Sequence, residues 1–183
     1  DSITPTLEKY LGSLPWKKTN ETWLDKNPKF PDGITDFEIK KGSDPKSMVG
    51  MVMNEKFEWN DNNRLCLRIA KEIVMIKLIE VIREDMSGVY SPQIQLDLNQ
   101  YPTPEFSFVI MFGCSPKNTG KLTKAVLGIF KSLRENGPTT GDLNKVKEAL
   151  VREREVDIKT NSFWVGRLEN FYFNKDKADL ITD

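Results

Sequence analysis

The chain has 183 residues, balances 27 Lys and Arg against 27 Asp and Glu, and contains no histidine. That length suits one domain with a core of its own, and the neutral balance argues against the basic face that a nucleic-acid partner requires. Without histidine, no H-x-x-E-H, H-E-x-x-H or Ser-His-Asp site can be assembled from these residues alone.

In chain order, Ser2 to Leu14 reads as a helix. Ser2 or Thr4 can cap it, Pro5 suits its first turn, and Leu7, Tyr10, Leu11 and Leu14 share a face. A compact domain rarely opens on a helix, so a strand is expected to precede it. From Trp16 to Gly33 the composition turns polar and rich in Pro, Asn and Lys, an exposed connection that Trp16 and Trp23 are expected to pin to the body. Thr35 to Lys41 and Met48 to Phe57 alternate at a period of two, with Gly42-Ser43-Asp44-Pro45 between them, and predict a hairpin.

Asn60 to Asn63 then caps the most apolar helix of the chain, Leu65 to Met86. Its apolar residues occupy nearly the whole circumference, which predicts a sheet on one flank and helices on the other. Arg68, Lys71, Glu72, Lys77, Glu80, Arg83 and Glu84 interrupt it too often for a membrane span, and no stretch reads as a signal peptide. Ser87-Gly88 ends this helix. Ile94, Leu96 and Leu98 then alternate as a half-buried strand, with Pro92 placing its start at an edge or a bulge. A second hairpin joins Gln93 to Leu98 with Glu105 to Gly113, where Phe106, Phe108, Ile110 and Phe112 alternate.

The remainder is helical. Leu122, Val126, Ile129, Phe130 and Leu133 form a stripe closed by Gly137-Pro138, and Thr139 or Thr140 opens a helix with Leu143, Val146 and Leu150 inward. Arg152 to Glu155 reads as a solvated face with i,i+4 pairing. The aromatic tail of Phe163, Trp164, Leu168, Phe171 and Tyr172 either packs under the sheet or awaits a neighbouring domain. The element order describes a single α/β (α+β) domain over residues 1–183, a two-layer sandwich with a mainly antiparallel sheet packed on helices.

Few residues stand out chemically. Cys66 and Cys114 lack C-x-x-C spacing, which excludes a zinc ribbon or redox pair, and buried free thiols are the commoner reading. Arg83 and Tyr90 flank the turn from the long helix into the following strand. A structural account suffices for each: the helix dipole favours Arg83 at a C-terminus, and Tyr90 has the parity of a strand aromatic. Glu84 and Asp85 point in different directions on a helix and are expected to be solvated, and Trp164 and Arg167 are read as packing.

The segment IREDMSGVYSP after the long apolar helix resembles the R-x-x-x-x-G-x-Y type segment of the insulinase/pitrilysin-like zinc metallopeptidases, the inverzincins. LEKYLGSLP, FPDGI followed by a hairpin, and VREREVDIKTNSFW resemble the non-catalytic C-terminal-type domain of that family, in the same order. The resemblance implies a LuxS/mitochondrial-processing-peptidase-like metallohydrolase fold, here without its first strand and its C-terminal end. It also implies a parent that encloses peptides in a chamber, with zinc held by H-x-x-E-H in an N-terminal catalytic domain or a partner subunit. Arg83 and Tyr90 match the Arg and Tyr with which such a domain touches substrate, through hydrogen bonds to the peptide backbone or the developing oxyanion. No catalytic or metal-ligating residue is assigned to this chain, which is expected to be inert alone and to bind no zinc itself. Bacterial relatives of this kind are often exported, so a periplasmic or exported location is implied, with a cytoplasmic one equally compatible with the composition. Two other readings stand beside this one: a non-catalytic assembly or binding module of the same fold, and an unrelated ferredoxin-like α/β binding domain. An open sheet edge together with the aromatics from Phe163 to Phe173 would also favour self-association.

Overall fold

The computed structural model of the chain describes residues 2–15, 29–84 and 92–174, with 17, 22, 24 and 26 between the first two stretches; of residues 82–84 it describes the backbone alone. The described elements are α1 (Thr4–Tyr10), β1 (Ser47–Lys56), α2 (Asp61–Glu84), β2 (Gln93–Asn99), β3 (Glu105–Cys114), a 3-10 turn (Pro116–Asn118), α3 (Thr119–Asn136), α4 (Thr140–Asp157) and α5 (Asn161–Asn174).

The sheet has the order β1-β3-β2, with both neighbours antiparallel to β3. Register follows from the apolar alternation. Val49, Met51 and Met53 lie beside Phe112, Ile110 and Phe108, and Ile94, Leu96 and Leu98 lie beside Ile110, Phe108 and Phe106. Opposite residues point to the same face, so three period-two patterns build one apolar surface and a slip by one residue would turn it to solvent. β1 and β2 run parallel to each other with β3 between them, and α2 makes the crossover.

The described helices α2 and α3 pack on one face of the sheet. α2 lies over β2, with α3 beside it toward β1, and α4 packs on the flank of α2. Val74 and Leu78 of α2 and Leu122, Val126 and Ile129 of α3 form one buried cluster with Ile110, Phe112 and Cys114. An aromatic ladder continues it, with ring centroids 6.0 Å apart for Phe57–Phe106, 5.5 Å for Phe106–Phe108 and 6.1 Å for Phe108–Phe130.

The helix boundaries have local causes. Asn60 accepts a hydrogen bond from the Asn63 N–H at 2.8 Å and opens α2. α3 stops at Gly137, whose φ of 70° a side-chain-bearing residue rarely adopts and whose N–H bonds the Leu133 carbonyl. Thr139 caps α4 by accepting from the Asp142 N–H, and Glu148 and Arg152 pair at 2.5 Å on its exposed side.

Three expectations change. Thr35 to Lys41 is not a strand: Phe37 and Ile39 are exposed, and β1 pairs with β3 instead of with this segment. Two apolar side chains among Asp36, Glu38, Lys40 and Lys41 bury too little surface to offset the entropy of ordering the segment. α1 is shorter than its pattern; its N-cap is Ile3, with no side-chain cap, and Leu7, Tyr10, Leu11 and Leu14 all remain exposed. Cys66 is exposed, because the first turns of α2 extend past the sheet, whereas Cys114 is buried; both thiols are free. Two readings are open for the aromatic tail; on α5, Trp164, Leu168, Tyr172 and Phe173 are exposed, which agrees with a face open to a neighbour, while Phe163 and Phe171 are half-buried and Trp164 donates to the Ile158 carbonyl at 2.8 Å. The expected anchoring by Trp16 and Trp23, and the end of α2 at Ser87-Gly88, lie outside the described residues.

Two outcomes test this packing. Leu78→Ala is expected to cost about 2–5 kcal/mol in urea unfolding, since Leu78 is fully buried; Leu65→Ala, at a half-exposed site of the same helix, should stay within about 0.5 kcal/mol. A thiol reagent should label Cys66 in the native protein and Cys114 only after denaturation.

Candidate functional site

α2 carries Arg83 in its last turn. That turn is fixed from upstream, where Leu78 is fully buried and Val81 packs on the core cluster. The chain returns at the buried Pro92 and enters β2 at Gln93, so the helix end and the sheet edge are held by the same packed layer. The side chains of Arg83 and Glu84, together with Asp85 and Tyr90, lie outside the described residues.

Nearly two turns before this end is the most buried ionic contact among the described residues. Asp142, at 5 % exposure, accepts from Lys77 Nζ at 2.8 Å and from the Thr139 hydroxyl at 2.6 Å, and Glu80 approaches Lys77 at 3.0 Å. The hydrogen bond from Lys77 holds the Asp142 carboxyl below the usual carboxylate range, with the Thr139 hydroxyl adding to it. The hydrogen bond to Asp142 raises Lys77 above the usual ammonium value. The pair therefore joins the C-terminal half of α2 to the first turn of α4. The sequence reading identified the Thr139 cap and passed over Asp142, although T-x-x-D at a helix start is a variant of the capping box and was available as a signal.

A second cluster gathers arginines and aromatics from α2, α4, α5 and the β1–α2 connection. Arg64 lies 4.7 Å from the Trp59 ring centroid, and Arg154 and Arg167 lie 4.6 and 5.7 Å from that of Phe163. Burial lowers Arg167 from the ordinary guanidinium value, with Arg154 the next cause. Arg64 also pairs with Asp61. Reading Arg167 as packing was sound; the company it keeps was not legible, because its neighbours come from segments far apart in the chain. Between α2 and α4 runs an open groove of about 420 Å³ with Met75, Ile76, Ile79 and Leu150 among its lining residues. Its lining has no Ser, Thr, Cys or Tyr.

Among the described residues, no group of three or more Cys, Asp and Glu is arranged to hold a metal ion, and the whole sequence lacks histidine. Cys66 and Cys114 differ in burial and stand on separate elements. These residues do not fit zinc. Nor is any helix among the described residues long and apolar enough to cross a membrane.

Residues 1–150 match the family described as Peptidase M16 inactive domain. The chain belongs to this family. It is 25% identical over 187 residues to the probable zinc protease PqqL of Haemophilus influenzae, an alignment covering 99% of this chain and 19% of that protein. It is 24% identical over 105 residues to the chloroplastic stromal processing peptidase of Pisum sativum, covering 57% of this chain and 8% of that one. The chain thus spans less than a fifth of these relatives. Among solved structures, the periplasmic protease PqqL from Escherichia coli superposes with a TM-score of 0.61 at 18% identity, over 70% of this chain and 14% of that one. The ferredoxin protease FusC, solved with Arabidopsis ferredoxin, gives 0.60 at 17% identity, over 75% of this chain and 16% of that one. At such identities the superpositions establish the fold: the α+β sandwich is that of M16 protease domains.

The ion pair gives a pH-dependent prediction. With its carboxyl lowered, Asp142 stabilises the fold above the unfolded carboxylate value of about 4 and loses that contribution as pH falls through the folded value. Lys77, raised, contributes below about pH 10 and loses it as pH rises further. Asp142→Ala is therefore expected to cost about 2 kcal/mol near neutrality, with the deficit shrinking in acid. Chemical denaturation of both proteins across the pH range measures it.

Proposed function

We propose that the chain is a non-catalytic, substrate-contacting domain of a zinc-dependent endopeptidase whose metal is held in another part of the parent protein. The observation that carries the reading is the match of residues 1–150 to an inactive peptidase domain in a chain with no histidine. Such a domain can contribute hydrogen-bond donors and shape, and the metal chemistry has to come from elsewhere. The relatives named as zinc proteases support zinc in the parent.

In this reading Arg83 and Tyr90 are the donors. A guanidinium keeps its charge at any working pH and offers fixed N–H groups, and a phenol adds one neutral O–H. Directed at a peptide carbonyl, they would gain strength as charge develops on its oxygen. The last turn of α2 is a suitable mount, because the buried Leu78 and the Lys77–Asp142 pair fix the helix just upstream. Substrates would be peptides or proteins, as for the relative solved with ferredoxin, presented by the catalytic domain of the same chain or of a partner subunit. The periplasmic relative supports an exported location and a bacterial-type parent.

The experiment is steady-state kinetics on the parent protein. Tyr90→Phe and Arg83→Ala are each expected to lower kcat/KM for peptide cleavage by roughly 10- to 1,000-fold, with urea midpoints unchanged. Unchanged cleavage in folded variants would remove both residues from the site. A second reading, a binding or assembly module in a parent without zinc, draws on the family's description as inactive. The parent's sequence separates the two, since only a peptidase needs H-x-x-E-H and a further Glu outside this chain.

A further inference from the structure

Two kinds of contact hold the C-terminal half of α2, and the apolar kind thins toward the helix end. Burial is complete at Ile73, Val74 and Leu78, but Ile79 and Val81 are only half-buried and Glu80 is exposed. The groove between α2 and α4 is open, and the side chains of Met75, Ile76, Ile79 and Leu150 that line it can repack in more than one alignment of the two helices. Packing of this kind does not fix where α2 stands along α4. Lys77 supplies what it lacks. Its Nζ donates at 2.8 Å to Asp142 and at 3.0 Å to Glu80, so a buried carboxylate on α4 and an exposed one a turn further along α2 share one ammonium. Asp142 is itself fixed twice: it accepts from the Thr139 hydroxyl at 2.6 Å and returns its own N–H to that oxygen at 3.1 Å, with the buried Val146 one turn on. The acceptor cannot shift without giving up the start of α4.

We infer that Lys77 and Asp142 are positioning residues for the last turn of α2, a role that rests on Arg83 being a substrate-contacting donor and that is exerted through Arg83 without contact to the substrate. An ion pair this far from water adds little net stability, because desolvation offsets the attraction, whereas a slide of α2 leaves a charge buried and unpaired. Placement is what the pair fixes. Arg83 follows Lys77 by six residues on one unbroken helix, about 9 Å along its axis, so a displacement at the pair reaches the last turn. A donor aimed at a developing charge loses much of its effect when it is misplaced by about 1 Å. Lys77 and Asp142 therefore govern rate more than they govern stability.

The test is made in the parent protein, with Lys77→Met and Asp142→Leu together replacing the pair by apolar side chains of similar size. The urea midpoint should stay close to that of the unsubstituted protein, while kcat for peptide cleavage falls roughly 10-fold with KM unchanged. Amide exchange from Leu78 to Glu84 should quicken, and that in β3 should not. Added to Arg83→Ala, the pair replacement should cost no further activity, because no donor is left to misplace. Asp142→Asn, which keeps the shape of the side chain and its N–H to Thr139, should give the same separation of kcat from KM even if the double variant folds poorly. Full kcat in folded variants of the pair, or a loss that multiplies undiminished with that of Arg83→Ala, would overturn the positioning role and leave Arg83 in the site. An Arg83→Ala protein that cleaves normally would remove both the site and the role.

Discussion

The burial of Val74 and Leu78 in one cluster with Ile110 and Phe112 is the constraint on which the remaining geometry depends. Among the described residues β3 is the only strand with two neighbours, so its inward row sets the register of both, and α2 lies over the surface that row creates. Only the middle of α2 is fully buried, at Ile73, Val74 and Leu78, while Leu65 and Cys66 stand in solvent at its start. A helix of 24 residues is about 36 Å long, longer than the patch of sheet it covers. Its first turn therefore lies at the margin of the core.

Where the pattern of the sequence was dense and local, the fold could be read from it. The alternation from Phe106 to Phe112, that of Ile94, Leu96 and Leu98, and the stripe from Leu122 to Leu133 each name their own face, and each face proved to be the inner one. The near-continuous apolar surface of α2 correctly implied cover on several sides, since β2, α3 and α4 all touch it. It failed to say where along the helix the cover stops, which is why Cys66 was read as buried. Thr35 to Lys41 shows the opposite error. A period of two states which side chains share a face, but a strand forms only where enough apolar area is buried to offset its ordering, and Phe37 and Ile39 are exposed.

The site was legible to a lesser degree, for a reason of topology. Arg83 and Tyr90 were singled out as candidates through a short motif, which fixes identity and spacing but not the direction of a side chain. The arginine and aromatic cluster has no motif at all: Arg64, Arg154 and Arg167 meet because α2, α4 and α5 converge at one end of the molecule, a long-range fact with no local trace. Asp142 lies between these cases. Its place three residues after the Thr139 cap is local, while its partner Lys77 is on another helix, and only the second contact makes it more than a cap.

That second contact bears on why a chain without histidine would keep so well-determined a helix. A buried ion pair adds little net stability, because desolvation offsets most of the attraction; what it imposes is geometry, since any other arrangement leaves a charge buried and unpaired. The Lys77–Asp142 pair admits one placement of α2 against α4, where apolar packing through Met75, Ile76, Val146 and Leu150 would by itself tolerate small slides. If donors at the end of α2 serve a reaction whose metal lies in another domain, their worth depends on arriving within a fraction of an ångström of the developing charge. Rigidity is then the domain's contribution to the chemistry, and the pair is set within two turns of the residue that would use it.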